Sequence, residues 1–379
     1  MSSTHLIPES SAPFEARSVG VLGGGQLGRM LALAGYPLGV HCKFVDPTPN
    51  SPAGAVAPQI AADYVAREAI RELAACEVVT YEFESVPVEA AHELAETTPV
   101  FPPPNALATA QDRLSEKECF RALGVPTAPF APVSTEAELR DAVARLGLPA
   151  VLKTRRLGYD GKGQCVLRSM SDVEPAFRSL GGVPLLLEGF VKFERELSLL
   201  AVRGRDGSIA FYPLVENHHR DGILRVTWAP APNLDAALQN EAEEHVRKVL
   251  ERLDYVGVLA VEFFACEGRL FANEMAPRVH NSGHFSIEGA RTSQFENHLR
   301  AVLGLPLGST EVPEPCAMLN LVGELPTREA VLAVPGAHLH LYDKTPRTGR
   351  KVGHITVRAA DRTELTRRVE ALLRLPGAG

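Results

Sequence analysis

A doubly wound α/β domain followed by two α+β units, a small central lobe and a larger C-terminal domain, is the fold that three observations predict. Short apolar runs alternate with helical segments from Ser18 to Phe83, the pattern of a parallel sheet with right-handed crossovers. Further on, a loop rich in glycine is held between two strand-like runs, "PAVLK" and "QCVLR". Beyond it, hairpin-like runs dominate and a long helix interrupts them. At 379 residues the chain is too long for one ordinary core.

The elements follow in order. "SVGVLGGGQLGRMLALAGYPLG" reads as a strand, a glycine turn and a helix with Leu27, Met30, Leu31 and Ala34 on one face. "VHCKFVD" and "CEVVTYEF" supply the next strands, and the proline-rich "TPVFPPPNALA" ends the unit. "QDRLSEKECFRALGVP" is a polar amphipathic helix stopped by Gly124 and Pro126. The central lobe adds helix "SDVEPAFRSLGG" and strand "PLLLEGFV" to its two flanking strands. Then come "ERELSLLAVRGRDGSIAFYPLVE" and "GILRVTWAP", with a hairpin turn at "RGRDGS", a helix over Leu234 to Leu253, and the hairpin "VGVLAVEFFACEGRLFANEMAPR". Strands "HLHLYDK" and "GHITVRA" flank a basic turn near the C-terminus. The expected divisions are a disordered leader over 1–16, an α/β domain over 17–112, a small lobe over 113–190, and a C-terminal domain with a terminal β-rich unit over 191–379.

Hydrophobic residues are 45% and charged residues 22% of the chain, an ordinary globular balance. A net charge of -7 argues against nucleic acid as the main partner, since tracking phosphates needs a broad cationic excess. The six cysteines show no CxxC pair and no zinc-like spacing to histidine, so they read as buried small hydrophobes in a reducing compartment. The N-terminus has neither a basic start nor an apolar stretch, and a cytoplasmic protein without membrane contact is expected.

Two glycine clusters compete for a phosphate. Gly23, Gly25 and Gly28 match G-x-G-x-x-G after a strand, and Asp46 ends the next strand, which is close to a dinucleotide fingerprint. Nothing downstream supplies a second dinucleotide half or a hydride-transfer acid, so these glycines serve either the turn and helix packing or the phosphate of a smaller ligand. In "VLKTRRLGYDGKGQ", Gly158, Gly161 and Gly163 can lay backbone N–H groups along a polyphosphate while Lys153 adds fixed positive charge.

Glu262 interrupts an apolar strand and Glu274 lies in the returning one. A hairpin loop of odd length around Glu267 and Gly268 makes them cross-strand neighbours on one face, and an even loop separates them. Two adjacent carboxylates invite a cation, and oxygen ligands suit Mg²⁺. Asn273, Arg278, His280 and Asn281 crowd the same end. Loop, lysine and acids together describe a Mg-ATP site between two lobes.

The ordered motifs "GVLGGGQLGRM", "YEFE", "QDRLSEK", "GYDGKGQ", "ENHHRDGILR", "NEMAPRVHNSGH", "SQFENHLRA" and "YDKTPRTGRKVGH" resemble the N5-carboxyaminoimidazole ribonucleotide synthetases of the ATP-grasp superfamily, from about Ser18 to the last strands. The resemblance implies an ATP-grasp fold, purine biosynthesis, and ATP-dependent carboxylation of 5-aminoimidazole ribonucleotide by bicarbonate with release of ADP and phosphate. It implies that Arg113 and Lys153 touch ATP phosphates and that Gly158, Tyr159, Asp160, Gly161, Lys162, Gly163 and Gln164 close over the nucleotide. Glu188, Gly189, Phe190 and Val191 would receive adenine, Glu196 the ribose, and His218 or His219 would lie nearby, with His219 the assigned one. Glu262 and Glu274 would hold Mg²⁺, or Mn²⁺ in its place, with Asn273 beside the nucleotide. Gln26, Leu27, Glu84, Tyr159, Lys162, Lys344, Arg350 and Lys351 would meet the ribonucleotide. Arg278, whose planar fork suits bicarbonate, joins Tyr159, Lys162 and Lys344 as the expected catalytic set, and a homodimer is implied. Thr348 stands where the family pattern leads one to expect proline.

Three rivals remain at this level. A sister ATP-grasp enzyme shares the nucleotide site and differs in acceptor, an NAD oxidoreductase would use Gly23 to Gly28, and a non-catalytic module would bind ATP without releasing ADP.

Overall fold

The computed structural model describes residues 16–158 and 161–379. The expected leader, apart from Ala16, and the loop residues Tyr159 and Asp160 lie outside the described residues. Among the described residues there are three sheets.

The first is parallel, in the order β3-β2-β1-β4, built from β1 (Arg17–Leu22), β2 (Val40–Val45), β3 (Gln59–Ile60) and β4 (Val78–Tyr81). Helices α1 (Gln26–Gly35), α2 (Arg67–Ala74) and α3 (Val88–Ala95) connect them. Val19 and Val21 enter one core with Leu27, Met30 and Leu31, while Leu22 faces another with Leu73, Val79 and Leu94. Both faces of the sheet are therefore covered, as its continuous apolar strands require. The short helices α4 (Pro104–Gln111) and α5 (Arg113–Ala122) lead out of this unit, α5 being capped by the Asp112 carboxylate on the Leu114 N–H.

The small lobe is an antiparallel sheet in the order β5-β8-β6-β7, from β5 (Phe130–Val133), β6 (Ala150–Thr154), β7 (Gln164–Leu167) and β8 (Leu185–Gly189), packed on α6 (Glu136–Leu146) and α7 (Val173–Leu180). The sequence reading does not place β5 or α6. A signal for α6 was present in "STEAEL", where Thr135 and Glu138 form a capping box. The four-residue strand β5 carries Pro132 and shows no alternation to read.

The third sheet runs β14-β13-β9-β11-β12-β15-β17-β16, with β10 (Ile209–Phe211) off β9. Its strands are β9 (Arg195–Arg203), β11 (Val215–Arg220), β12 (Ile223–Ala229), β13 (Gly257–Cys266), β14 (Arg269–Ala276), β15 (Cys316–Val322), β16 (Ala337–Leu341) and β17 (Lys351–Arg358). The C-terminal strands continue this same sheet through β15, which the sequence reading leaves unassigned. On α8 (Ala236–Arg252), Ala242, Val246, Val249 and Leu250 are buried at helical spacing against β9 and β13. Helices α9 (Ser286–Gly289) and α10 (Gln294–Val302) follow β14, α11 (Arg328–Leu332) precedes β16, and α12 (Arg362–Leu373) closes the chain. Phe295 and Leu299 of α10 share the core of α1, which locks the first domain onto the third.

Candidate active site

The acidic hairpin obeys a rule that loop parity alone does not give. Cys266 pairs with Arg269, so the loop is the two residues Glu267 and Gly268, an even length. Parity alone would separate the two acids. A β-bulge between Glu262 and Phe263 shifts the register so that Phe263 faces Ala272 and Glu262 faces Glu274, leaving Asn273 as the extra residue. The carboxylates become neighbours through the bulge.

The register then extends this row across the sheet. Glu262 also faces Ser198, and Glu196 lies two residues along β9 on the same face. His219 Nδ1 meets Glu196 Oε2 at 2.7 Å. Glu274, Glu262, Glu196 and His219 thus cross four adjacent strands. His218 turns instead to Glu216, its Nε2 2.9 Å from Oε1, and so the structure puts His219 in the row.

Electrostatics divides the acid pair. Burial and the neighbouring Glu274 charge push the Glu262 carboxyl up to about 7. Burial opposes ionisation of Glu274 as well, but Arg113 outweighs it and holds that carboxyl down at about 2. Arg113 Nη1 donates to Glu274 Oε2 at 2.8 Å, and Nη2 reaches the Gly158 carbonyl at 3.4 Å. One arginine therefore touches both the acids and the glycine loop.

Lys153 and Glu188 meet each other. Glu188 faces Val151 and Lys153 lies two residues on, so both side chains share a face, with Lys153 Nζ 3.0 Å from Glu188 Oε2. Lys117 Nζ lies 3.4 Å from the same oxygen. Burial opposes the Glu188 charge, yet the two lysines hold its pKa below the usual carboxylate value. Glu188 Oε1 is buried without a partner among the described residues. Gly189, Phe190 and Val191 follow at the end of β8, and the Phe190 side chain is exposed.

Sequence reasoning gives no role to Glu116 and Lys117, which lie within "QDRLSEK" on a helix expected to be polar and amphipathic. Both are buried. They cover the outer edge of β14, where Lys117 Nζ donates to the Ala272 carbonyl at 3.3 Å and Glu116 Oε1 accepts from the Met275 N–H at 2.5 Å. Burial and Glu274 push the Glu116 carboxyl up to about 8. Adjacent charges on one helix carry no periodic signal of burial, which is why the sequence hides them.

The first glycine cluster is corrected. The Gly24 N–H donates to Asp46 at 2.8 Å, and those of Gly25 and Gly28 donate to the buried Glu82 at 2.7 and 3.2 Å. The chain's own carboxylates take up the amide protons of this helix start. Gly28 serves packing, since a Cβ there would come within 2.7 Å of Phe44. Beside this turn, Gln26 Oε1 accepts from Lys344 Nζ, and Leu27 is buried in the core. Burial and Arg350 lower the Lys344 ammonium to about 8. Lys351 begins β17, and Arg350 donates to the Thr345 carbonyl at 3.2 Å.

Arg278 follows β14 and donates to Glu84 Oε2 at 2.6 Å, joining the first domain to the third. Its Nε is buried without a hydrogen-bond partner among the described residues, as is Asn273 Oδ1. His280 Nε2 lies 3.6 Å from Glu262 Oε1. In the loop, Gly161 and Gly163 take φ of +74° and +71°, the left-handed region open to glycine. A Cβ on Gly161 would lie 3.3 Å from the Gly222 Cα, in the turn between β11 and β12.

An unpaired arginine N–H, two opposed carboxylates, an unpartnered amide oxygen and a cationic rim form a place for anions and a divalent cation. Among the described residues no cluster of three or more His, Cys, Asp or Glu side chains suits a metal. The two glutamates and the unpartnered Asn273 Oδ1 are oxygen donors, a chemistry that suits Mg²⁺. A separate cavity of about 380 Å³ lined by Glu216, His218, Trp228 and Arg362 shares none of these residues.

Residues 118–295 match the ATP-grasp domain family, 16–111 the ribonucleotide synthetase preATP-grasp domain, and 316–368 the phosphoribosylaminoimidazole carboxylase C-terminal domain. The N5-carboxyaminoimidazole ribonucleotide synthase of Pseudomonas aeruginosa is 56% identical over 94% of this chain and 99% of its own. This chain belongs to the N5-carboxyaminoimidazole ribonucleotide synthase family. It is an ATP-grasp ligase. The N5-carboxyaminoimidazole ribonucleotide synthetase of Thermus thermophilus superposes with a TM-score of 0.91 at 56% identity, covering 94% of this chain and 98% of that one. The N5-carboxyaminoimidazole synthase of Aspergillus clavatus, in complex with ADP and 5-aminoimidazole ribonucleotide, superposes with a TM-score of 0.88 at 36% identity, covering 96% and 100%. The three-domain ATP-grasp architecture agrees with the fold expected from sequence, and membership in this synthase family removes the oxidoreductase reading.

Proposed function

We propose that the chain carboxylates 5-aminoimidazole ribonucleotide to N5-carboxyaminoimidazole ribonucleotide, using ATP and bicarbonate through carboxyphosphate and releasing ADP and phosphate. The observation that carries this reading is the row from Glu274 to His219 beneath a glycine loop, with Arg113 bridging the two. Bicarbonate oxygen attacks the terminal phosphorus, the bond to ADP breaks, and carboxyphosphate then delivers its carbon to the amine with loss of phosphate. Such transfer needs positioning and charge neutralisation more than covalent help from the protein.

Arg278 offers its unpartnered Nε–H to bicarbonate and to the carboxyphosphate that follows. Arg113 and Lys153 face the phosphates, and Glu196 with His219 takes the ribose side. Burial lowers the His219 pKa, but its bond to Glu196 outweighs this and the net shift is upward. Gln26, Glu84, Lys162, Lys344, Arg350 and Lys351, with Tyr159, face the ribonucleotide. Glu262 and Glu274 would hold Mg²⁺, with Asn273 beside the nucleotide, and the ion would supply charge neutralisation for phosphoryl transfer. Closure of the loop excludes water from carboxyphosphate.

A homodimer in the cytoplasm completes the reading. All six cysteines are free, and no helix among the described residues is long and apolar enough to cross a membrane. The test is ADP release from Mg-ATP with bicarbonate and the ribonucleotide omitted in turn. Release that requires both supports the synthase. Indifference to the ribonucleotide points to another acceptor, and no release leaves a binding module.

A further inference from the structure

The segment that carries Arg278 leaves β14 with no strand beside it, yet its backbone is held as if one were present. The Gln294 side chain, fully buried at the first turn of α10, accepts from the His280 N–H at 2.8 Å and donates to the His280 carbonyl at 2.7 Å. One side-chain amide thus makes both bonds that a neighbouring strand would make. Its orientation is fixed by His284 Nδ1, 3.2 Å from Gln294 Nε2. Burial keeps His284 neutral, well below the usual histidine range, and so able to accept. The Gln294 backbone N–H donates to Ser286 Oγ at 2.9 Å, and Ser286 in turn donates to the Gly283 carbonyl at 2.6 Å. Gly283 is required for the approach, because a Cβ there would lie 2.6 Å from Gln294 Oε1.

We propose that Gln294 is a positioning residue, whose amide clamp on the His280 backbone sets where the Arg278 guanidinium meets bicarbonate. This rests on the assignment of Arg278 to bicarbonate above. From the clamped residue the chain runs back through Val279 to Arg278, whose Nη1 donates to the Val279 carbonyl at 3.0 Å, so the guanidinium is referenced to the same short backbone stretch. The bonds of Gln294 go to His280, His284 and Ser286, none of them assigned to ATP, so their loss should be felt by the anion before ATP.

Gln294→Glu keeps the shape and the acceptor but loses the donor, leaving the His280 carbonyl unpaired. A shift of the guanidinium by a fraction of its hydrogen-bond reach should raise the KM for bicarbonate about tenfold or more, with the KM for ATP within about twofold. His284→Phe keeps a ring in the core and frees the amide to flip, and should raise the bicarbonate KM by roughly threefold. If Gln294→Glu does not fold, the second variant decides. Bicarbonate-dependent ADP release by the wild type, with bicarbonate KM unchanged in whichever folded variant is measured, overturns the role of Gln294 alone, even where the melting temperature falls. Wild-type release that ignores bicarbonate overturns the proposed function itself.

Discussion

The two glycine-rich loops share composition and position after a strand, and they differ in what surrounds them. The first, Gly23 to Gly28, is ringed by carboxylates, with Asp46 and Glu82 taking its amide protons. The second, Gly158 to Gln164, is rimmed by cations, with Arg113 on the Gly158 carbonyl and Lys153 at the end of the preceding strand. A glycine motif supplies backbone room and N–H groups. The charges brought in from distant parts of the chain decide whether a phosphate or a carboxylate uses them.

The strongest way to break this contrast is to disarm the acids that the second loop faces. Glu274→Gln should lower ribonucleotide-dependent ADP release by roughly a hundredfold or more, a loss of about 3 kcal/mol in transition-state stabilisation. It should also leave Arg113 without its charged partner. Activity near wild type would remove Glu274 from the metal.

Gly161→Val tests the loop itself. The residue has φ of +74° and lies against Gly222, so a β-branched side chain is strained there by about 1–3 kcal/mol. Turnover should fall by roughly tenfold or more while the melting temperature changes little, because the strain lies in a surface loop away from the cores. Equal loss of both would make the glycine structural.

Glu82→Ala tests the first loop and should do the reverse. The Gly28 N–H, which is buried, loses its acceptor at about 1–3 kcal/mol, and the partly buried Gly25 N–H loses its acceptor at a smaller cost. The melting temperature should fall and the ribonucleotide KM should rise a few-fold through Gln26, with ATP KM unchanged. A variant that binds inorganic phosphate at this turn would show directly that Glu82 fills an anion site.

The smallest effect is one of pH. The Lys344 ammonium titrates at about 8 against an ordinary 10.5. Between these values the unfolded chain binds more protons, so the contribution of this group to stability improves as pH rises from about 8 towards 10.5, and its penalty is complete below 8. Binding runs the other way. Above pH about 8 the free enzyme loses this cation, and the ribonucleotide KM should rise; Lys344→Arg should flatten that rise.

Local pattern was enough for the strands and helices that alternate or repeat, including the hairpin of Glu262 and Glu274. It failed for β5, whose four residues carry a proline, and for β15, which is buried along its whole length and so shows no alternation. At the site, residue types and order pointed to acids, arginine and a glycine loop. Glu82, Glu116, Lys117 and Gln294 stayed hidden, because each acts on backbone groups outside its own element, from 14 residues away for Gln294 to 159 for Glu116.

Sequence by itself determined the strands and helices with a readable pattern, the two glycine turns and the kinds of side chain available, since these follow from short-range sterics and periodicity. Tertiary structure decided which of them meet. The bulge at Asn273 made neighbours of two glutamates that an even hairpin loop would have parted. Packing of α5 on β14 brought Arg113 to Glu274, and the fold of β4 beside β1 put Glu82 under the first glycine turn. Charges interact through space within a few ångströms, whatever their separation along the chain, so the first loop's chemistry was settled by the folding of its own domain and the second's by the packing of α5 against β14.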